Sequence, residues 1–181
     1  TFEGLPDVST YKTLTIASEL QSWDAIINLP KLKVHQQFTF TAATKNLYGC
    51  VTGMRKFVRH SLCKNDPARF GRMVVANARK AACILHIGDG IQAMHVKGPR
   101  GGKPYPMEKI IFSDDFLAHD WLTAKLMGFD PLKTPLFQCV SDEERHNAEV
   151  SCKSIVESDS FEVAEGFKHS YLIDISFSPW H

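Results

Sequence analysis

The 181-residue chain has no uninterrupted apolar stretch approaching the ~18 residues of a membrane-spanning helix, which excludes a helical bilayer span. It has no C-x-x-C pair, and its five cysteines (Cys50, Cys63, Cys83, Cys139 and Cys152) are odd in number. That argues against a disulfide framework and against a zinc or iron–sulfur site held by local cysteine spacing. No repeat, low-complexity tract or obvious linker is present, and the chain opens on Thr1 with no charged-then-apolar leader. The reading is one domain over residues 1–181, a trimmed or processed piece of a longer protein, with reduced thiols in a cytoplasmic setting. Hydrophobic residues make up 44% and charged residues 23%, ordinary values for a globular protein, which sets disorder aside.

Acidic residues are scarce in one region. Residues 31–109 hold nine Lys and six Arg against three acids, Asp66, Asp89 and Glu108, a net charge of +12. Residues 1–30 carry net −3 and residues 110–181 net −8, so the total of +1 hides a strong asymmetry. Such a middle segment attracts an anionic ligand, or it folds against the acidic segments and is cancelled; spacing leaves both open.

Hydropathy periodicity predicts alternating strands and helices. Strands are expected at 12–18, 24–30, 83–87 and 107–113, with an alternating edge strand at 171–177. The run Asp24-Ala-Ile-Ile-Asn-Leu-Pro30 reads as a strand buried on both faces. Helices are expected near 41–48, at 66–82 and 115–127, and as a short segment at 141–149. Asp66 and Pro67 suit an N-cap and first helical position, and Phe70, Val74, Ala78 and Ala81 share one face. Asp114 or Asp115 caps the next helix and Gly128 ends it. Residues 31–40 and 97–106 read as loops. The order implies an α/β fold, a layered sheet of mostly parallel strands with flanking helices and room for one antiparallel edge strand.

Ligands of such sheets gather at strand carboxyl ends, and charged clusters follow three predicted strands. Lys31, Lys33 and His35 alternate, so an extended segment presents two ammonium groups and an imidazole on one face. Lys45 and Asn46 sit in a segment of small residues. Asp89 lies between Gly88 and Gly90, where a ligand can approach closely or an Asx turn can form. Gly88-Asp-Gly-Ile-Gln-Ala93 mimics a dinucleotide fingerprint, but Gly98, Pro99, Gly101 and Gly102 follow too soon for the helix that motif must open. The basic glycine loop with Lys97, Arg100 and Lys103 supplies cations and backbone amides for a phosphate or carboxylate, without the order of a P-loop. Asp120 lies on an apolar helix face, so it is either tied structurally to a loop or placed in a site. His86 reads as a core or sheet histidine, and no histidine pair has metal-ligand spacing.

Four stretches together resemble the family known as domain of unknown function 362. They are Ile27-Asn-Leu-Pro-Lys-Leu-Lys-Val-His35, Lys45-Asn-Leu-Tyr-Gly49, Asp89-Gly-Ile-Gln-Ala-Met94 with Gly98-Pro-Arg-Gly-Gly102, and Asp115-Phe-Leu-Ala-His-Asp120 running on to Leu126-Met-Gly-Phe-Asp-Pro131. The likeness covers about residues 12–135. It implies a prokaryotic cytoplasmic α/β domain with a redox connection, because members often carry a ferredoxin-like four-iron four-sulfur segment. The family's polar positions fall on Lys31, Lys33, His35, Lys45, Asn46, Asp89, Asp115 and Asp120. Departures are Phe116 in place of a frequent Pro, His119 at an aliphatic position and His95 where an acid is common. The cysteine-rich segment is absent, so no iron–sulfur cluster is expected on this chain alone.

Combining residues and resemblance, Lys33, His35 and Asp120 are the catalytic candidates, and Lys31, Lys45, Asn46, Lys97, Arg100 and Lys103 the ligand-binding ones. Asp89 and Asp115 are the candidates for a divalent metal. The leading expectation is a site for a small anionic molecule or metal, with a redox link. The alternative is a non-catalytic module that docks a ferredoxin-type iron–sulfur domain or protein. Nucleic-acid binding ranks last, since no recognised motif is present and the sequence pI is about 7.7.

Overall fold

The computed structural model describes residues 16–53, 58, 61, 63 and 66–158, with side chains as far as 152. The expected strand at 171–177 and most of that at 12–18 lie outside these residues. Among them are six strands: β1 (Ile27–Asn28), β2 (Lys31–His35), β3 (Thr39–Thr41), β4 (Leu85–His95), β5 (Lys103–Tyr105) and β6 (Lys109–Ser113). The α-helices are α1 (Ala43–Leu47), α2 (Pro67–Ala81), α3 (Phe116–Leu126) and α4 (Asp142–Ser158).

The long strand β4 organises the sheet. Ile27 stands opposite Leu85, Asn28 opposite His86 and Lys31 opposite Asp89, all in parallel register. The unchanged spacing makes β1 and β2 a single line along β4, interrupted at Leu29–Pro30. Pro30 has no N–H to give the ladder, but its carbonyl accepts the Asp89 N–H at 2.8 Å. Beyond Lys31 the register shifts, and Lys33 faces Met94. On the other side of β4 run β6, with Ser113 opposite His86, and β5, with Lys103 opposite His95, both antiparallel. These two also form one line, with a one-residue shift at Glu108 (φ +55°), whose N–H donates to the Ile91 carbonyl at 3.1 Å. β3 pairs antiparallel with β2 at the far edge.

The fold is thus the expected α/β sheet with flanking helices and parallel strands at its centre, while antiparallel neighbours occur along both sides. Two expected loops contain strands. Lys31–His35 is β2, because Leu32 and Val34 alternate into the core. Lys103–Tyr105 is β5, although its sequence is rich in glycine and proline on either side. The strand expected at 83–87 runs through Gly88-Asp89-Gly90 to His95, so Asp89 stands inside a strand rather than after one. Gly88 is required there, since a Cβ at this position would lie 2.5 Å from the His119 ring.

α2 and α3 begin where their sequences predict, whereas α4 runs Asp142–Ser158, well past the short segment expected at 141–149. Asp66 accepts the Arg69 N–H at 3.0 Å and Pro67 opens α2, whose Phe70, Val74, Ala78 and Ala81 are buried. Asp115 accepts the Ala118 N–H at 2.6 Å at the start of α3. Every residue from Leu117 to Ala124 is buried, because α3 is packed between the sheet, α1 and α4. Its lack of a polar face follows from that position. Arg79 of α2 pairs with Glu144 of α4, so one base of the positive middle segment meets an acid of the C-terminal segment.

Candidate functional site

The sheet separates the predicted residues into two groups. Leu32 and Val34 point to the helices, so Lys31 and Lys33 alternate onto the opposite face. Lys31 binds Asp89 across the parallel pair, Nζ to Oδ2 at 2.7 Å, with both side chains about half exposed. Asp89 Oδ1 also accepts the Ile91 N–H at 3.2 Å. Lys33 is half-buried beside Thr41 and Met94. His35 is buried at the end of β2, and its Nδ1 accepts the Gln37 N–H at 3.2 Å.

β2 and β4 run parallel and finish at the same edge, at His35 and His95. The loop leaving β4 turns at Val96 (φ +70°) and Gly101 (φ +72°) and carries Lys97 and Arg100, with Lys103 opening β5; all three are exposed. Gly98 holds this loop directly on β2, since a Cβ there would lie 1.8 Å from the Val34 carbonyl oxygen. The fold therefore seats the basic loop on the strand that carries Lys33 and His35, at the carboxyl ends of parallel strands.

The second group lies inside the protein. Asp120 is 1% exposed and its oxygens accept the Ala43 N–H at 2.7 Å and the Thr44 N–H at 3.0 Å. Oδ1 also meets His119 Nδ1 at 3.0 Å. Two orphan amides at the start of α1 are satisfied by a carboxylate from α3. Asn28 completes the network. Its amide nitrogen donates to the Ala43 carbonyl and to His86 Nδ1, each at 3.0 Å, and its oxygen accepts from Asn46 Nδ2 at 2.8 Å. The two hydrogens of that amide are both used, so His86 Nδ1 is an acceptor and the ring is neutral, protonated on Nε2. Burial lowers the His86 pKa, and neighbouring His119 lowers it further, against the pull of Asp120, Asp115 and Asp114.

Asp120 is thus the structural tie of the two alternatives its sequence allowed. It sits on the helix side of the sheet while Lys33 is on the other, so a shared catalytic crevice of Lys33, His35 and Asp120 does not form. The difference is physical: a carboxylate inside a layer interface is stabilised by the nearest unpaired amides, and those belong to α1. Asn46 joins this buried network rather than an open pocket. Lys45 stands beside the rings of Tyr48 and Phe70, its Nζ at 5.5 and 5.3 Å from their centroids. Asp89 and Asp115 each hold other partners, and the described residues contain no group of three or more His, Cys, Asp or Glu suited to a metal ion. His119 and Asn28 were the residues that periodicity did not single out. For Asn28 the signal was an amide inside the apolar run Ile-Ile-Asn-Leu, which must find buried partners.

These features belong to an α/β family. The chain is a member of the family described as Domain of unknown function (DUF362), whose sequence profile matches residues 2–125. It is similar to the "Thylakoid-associated protein sll1697" of Synechocystis sp. (strain ATCC 27184 / PCC 6803 / Kazusa), 38% identical over 129 residues. That alignment covers 71% of this chain and 40% of the relative, so the chain spans less than half the length of the curated relative it matches. No solved structure matches it. No helix among the described residues is long and apolar enough to cross a membrane.

Proposed function

We propose that this domain binds a small anionic group, phosphate- or carboxylate-like, at the carboxyl edge of β2 and β4. Lys97, Arg100 and Lys103 supply the positive charge and hydrogen-bond donors, with Lys33 and His35 on the adjoining strand. The carrying observation is the contact of Gly98 with the Val34 carbonyl, which fixes the basic loop on the end of β2. A backbone fixed at Gly98 spares part of the loop-ordering cost of binding.

A second reading rests on the exposure of Lys97, Arg100 and Lys103: an acidic ferredoxin-type domain or protein docks on the same edge, which supplies the redox link. Thermal unfolding with and without inorganic phosphate distinguishes the two. Small-anion binding predicts stabilisation that rises with phosphate and is lost in Lys97→Ala/Arg100→Ala/Lys103→Ala. An equal phosphate effect in that variant overturns the site. No phosphate effect, with salt-sensitive capture of a ferredoxin that needs the same three residues, transfers the edge to docking.

A further inference from the structure

Among the described residues, the sheet face opposite the helices is apolar and carries no covering element. Alternation along β1, β4 and β6 places Ile27, Leu29, Leu85, Ile87, Ile110 and Phe112 on it. Ile27 is 55% exposed, Leu29 65%, Ile110 49% and Phe112 65%. A solvated sheet face is normally polar, and parallel strands are normally covered on both sides. The sequence of β1 and its flanks reads as a strand buried on both faces, yet among the described residues Ile27 and Leu29 on its outer face are exposed. Contiguous exposed patches of this kind mark interaction surfaces.

We propose that this face is the contact surface of a homodimer, covered by the same face of a second copy. Charge favours a second copy over a charged partner. The ionic groups in the middle of the face, Lys31 and Asp89, neutralise one another at 2.7 Å, so the centres of two such faces meet without net repulsion, while Lys33 lies on the same face toward the basic edge. A two-fold interface sets the same patch of each copy against itself, and a patch whose charges are internally paired allows that. The six side chains offer roughly 500 Å² of apolar surface per copy, most of the ~800 Å² per partner in a standard interface. Sheets packed in this way lie about 10 Å apart with their apolar side chains interdigitated. The basic edge at 97–103 stays at the rim, accessible in both copies.

Sedimentation velocity over a range of concentrations tests this. The wild-type chain is expected to form a reversible dimer, and Phe112→Asp and Leu29→Asp each to weaken it roughly tenfold or more. Leu132→Asp, an equally exposed site on the turn at Pro131–Lys133, is the control and leaves the dimer intact. Circular dichroism confirms that each variant is folded; Ile110→Lys reads the same face if Phe112→Asp is not. A wild-type monomer at every concentration overturns the proposal. So does a dimer that survives all the face substitutions.

Discussion

The carboxylate of Asp120, inside α3, receives the backbone amide of Ala43 at 2.7 Å and thereby anchors the first turn of α1 to a helix 77 residues further along the chain. Its second oxygen takes the Thr44 amide. A side chain that looked catalytic from its burial and charge is a joint between two helices.

Removing this joint leaves two buried N–H groups and His119 Nδ1 without their acceptor. Asp120→Ala is expected to cost about 3 kcal/mol or more, the scale for breaking a buried charged network from one side. Asp120→Asn keeps the shape but turns one NH₂ toward an N–H donor, so it rescues only part of the loss. Urea unfolding of the three proteins checks the order. An Asp120→Ala protein as stable as wild type contradicts the role assigned to this residue.

The neutral His86 ring makes stability depend on pH. Its folded pKa lies below the ordinary 6.5, chiefly through burial. Above pH 6.5 folded and unfolded chains are both neutral there, and this group contributes nothing to the dependence. As pH falls below 6.5 the unfolded chain takes up a proton that the folded one refuses, so stability declines until the lowered folded pKa is reached. Observation of the His86 ring by NMR during an acid titration is the direct check. A neutral ring at pH 6.5 is expected, and a midpoint at or above that value contradicts the buried amide contact with Asn28.

Gly98 offers a test of the loop geometry that does not depend on any ligand. A methyl group there meets the Val34 carbonyl oxygen, so Gly98→Ala must push the loop off β2 or distort the strand. The expected cost is about 1–3 kcal/mol, with amide-exchange protection lost around Val34 and Lys97. Gly101, which has no atom within 4 Å of a built Cβ but has φ +72°, is expected to lose less on the same change. Equal stability of Gly98→Ala and wild type contradicts the contact.

The thiols give an independent check on packing. Burial raises Cys152 to about 11, with the Asp115 charge adding to it against a backbone hydrogen bond from Leu122, and burial with neighbouring Cys50 raises Cys83 to about 11. At pH 8 the thiolate fraction is then about one in a thousand, and native alkylation by iodoacetamide, read by mass spectrometry, is expected to be slow at both. Rapid native labelling of Cys152 contradicts its burial on α4 against the Ala118 carbonyl of α3.

The starts of α2 and α3 were legible because their signals are local, whereas the length of α4, Asp142–Ser158, was not. Asp66-Pro67 and Asp115 announce caps, and the apolar spacing of α2 matches its buried face. The strands at 31–35 and 103–105 were less so, since lysine, proline and glycine hide an extended segment whose partners lie far along the chain. Pairing with β4 decides both, and no local propensity encodes it. The candidate site divided for the same reason. Alternation placed Lys31 and Lys33 on one face of β2, but only the helix layer determines that Asp120 lies across the sheet from them. Asn46 reads as a ligand-binding candidate and Asp120 as a catalytic one, and both are hydrogen-bonded into the buried network at the start of α1.

Anion binding by the basic loop seated on β2 is what the proposed function requires. Titration of the isotope-labelled chain with inorganic phosphate, followed by amide chemical shifts, tests it most directly. Binding there gives saturable shifts concentrated at residues 33–35 and 95–103, weakening as salt is raised. Saturable shifts centred instead on His86, His119 and Asp120, or none at all, contradict it.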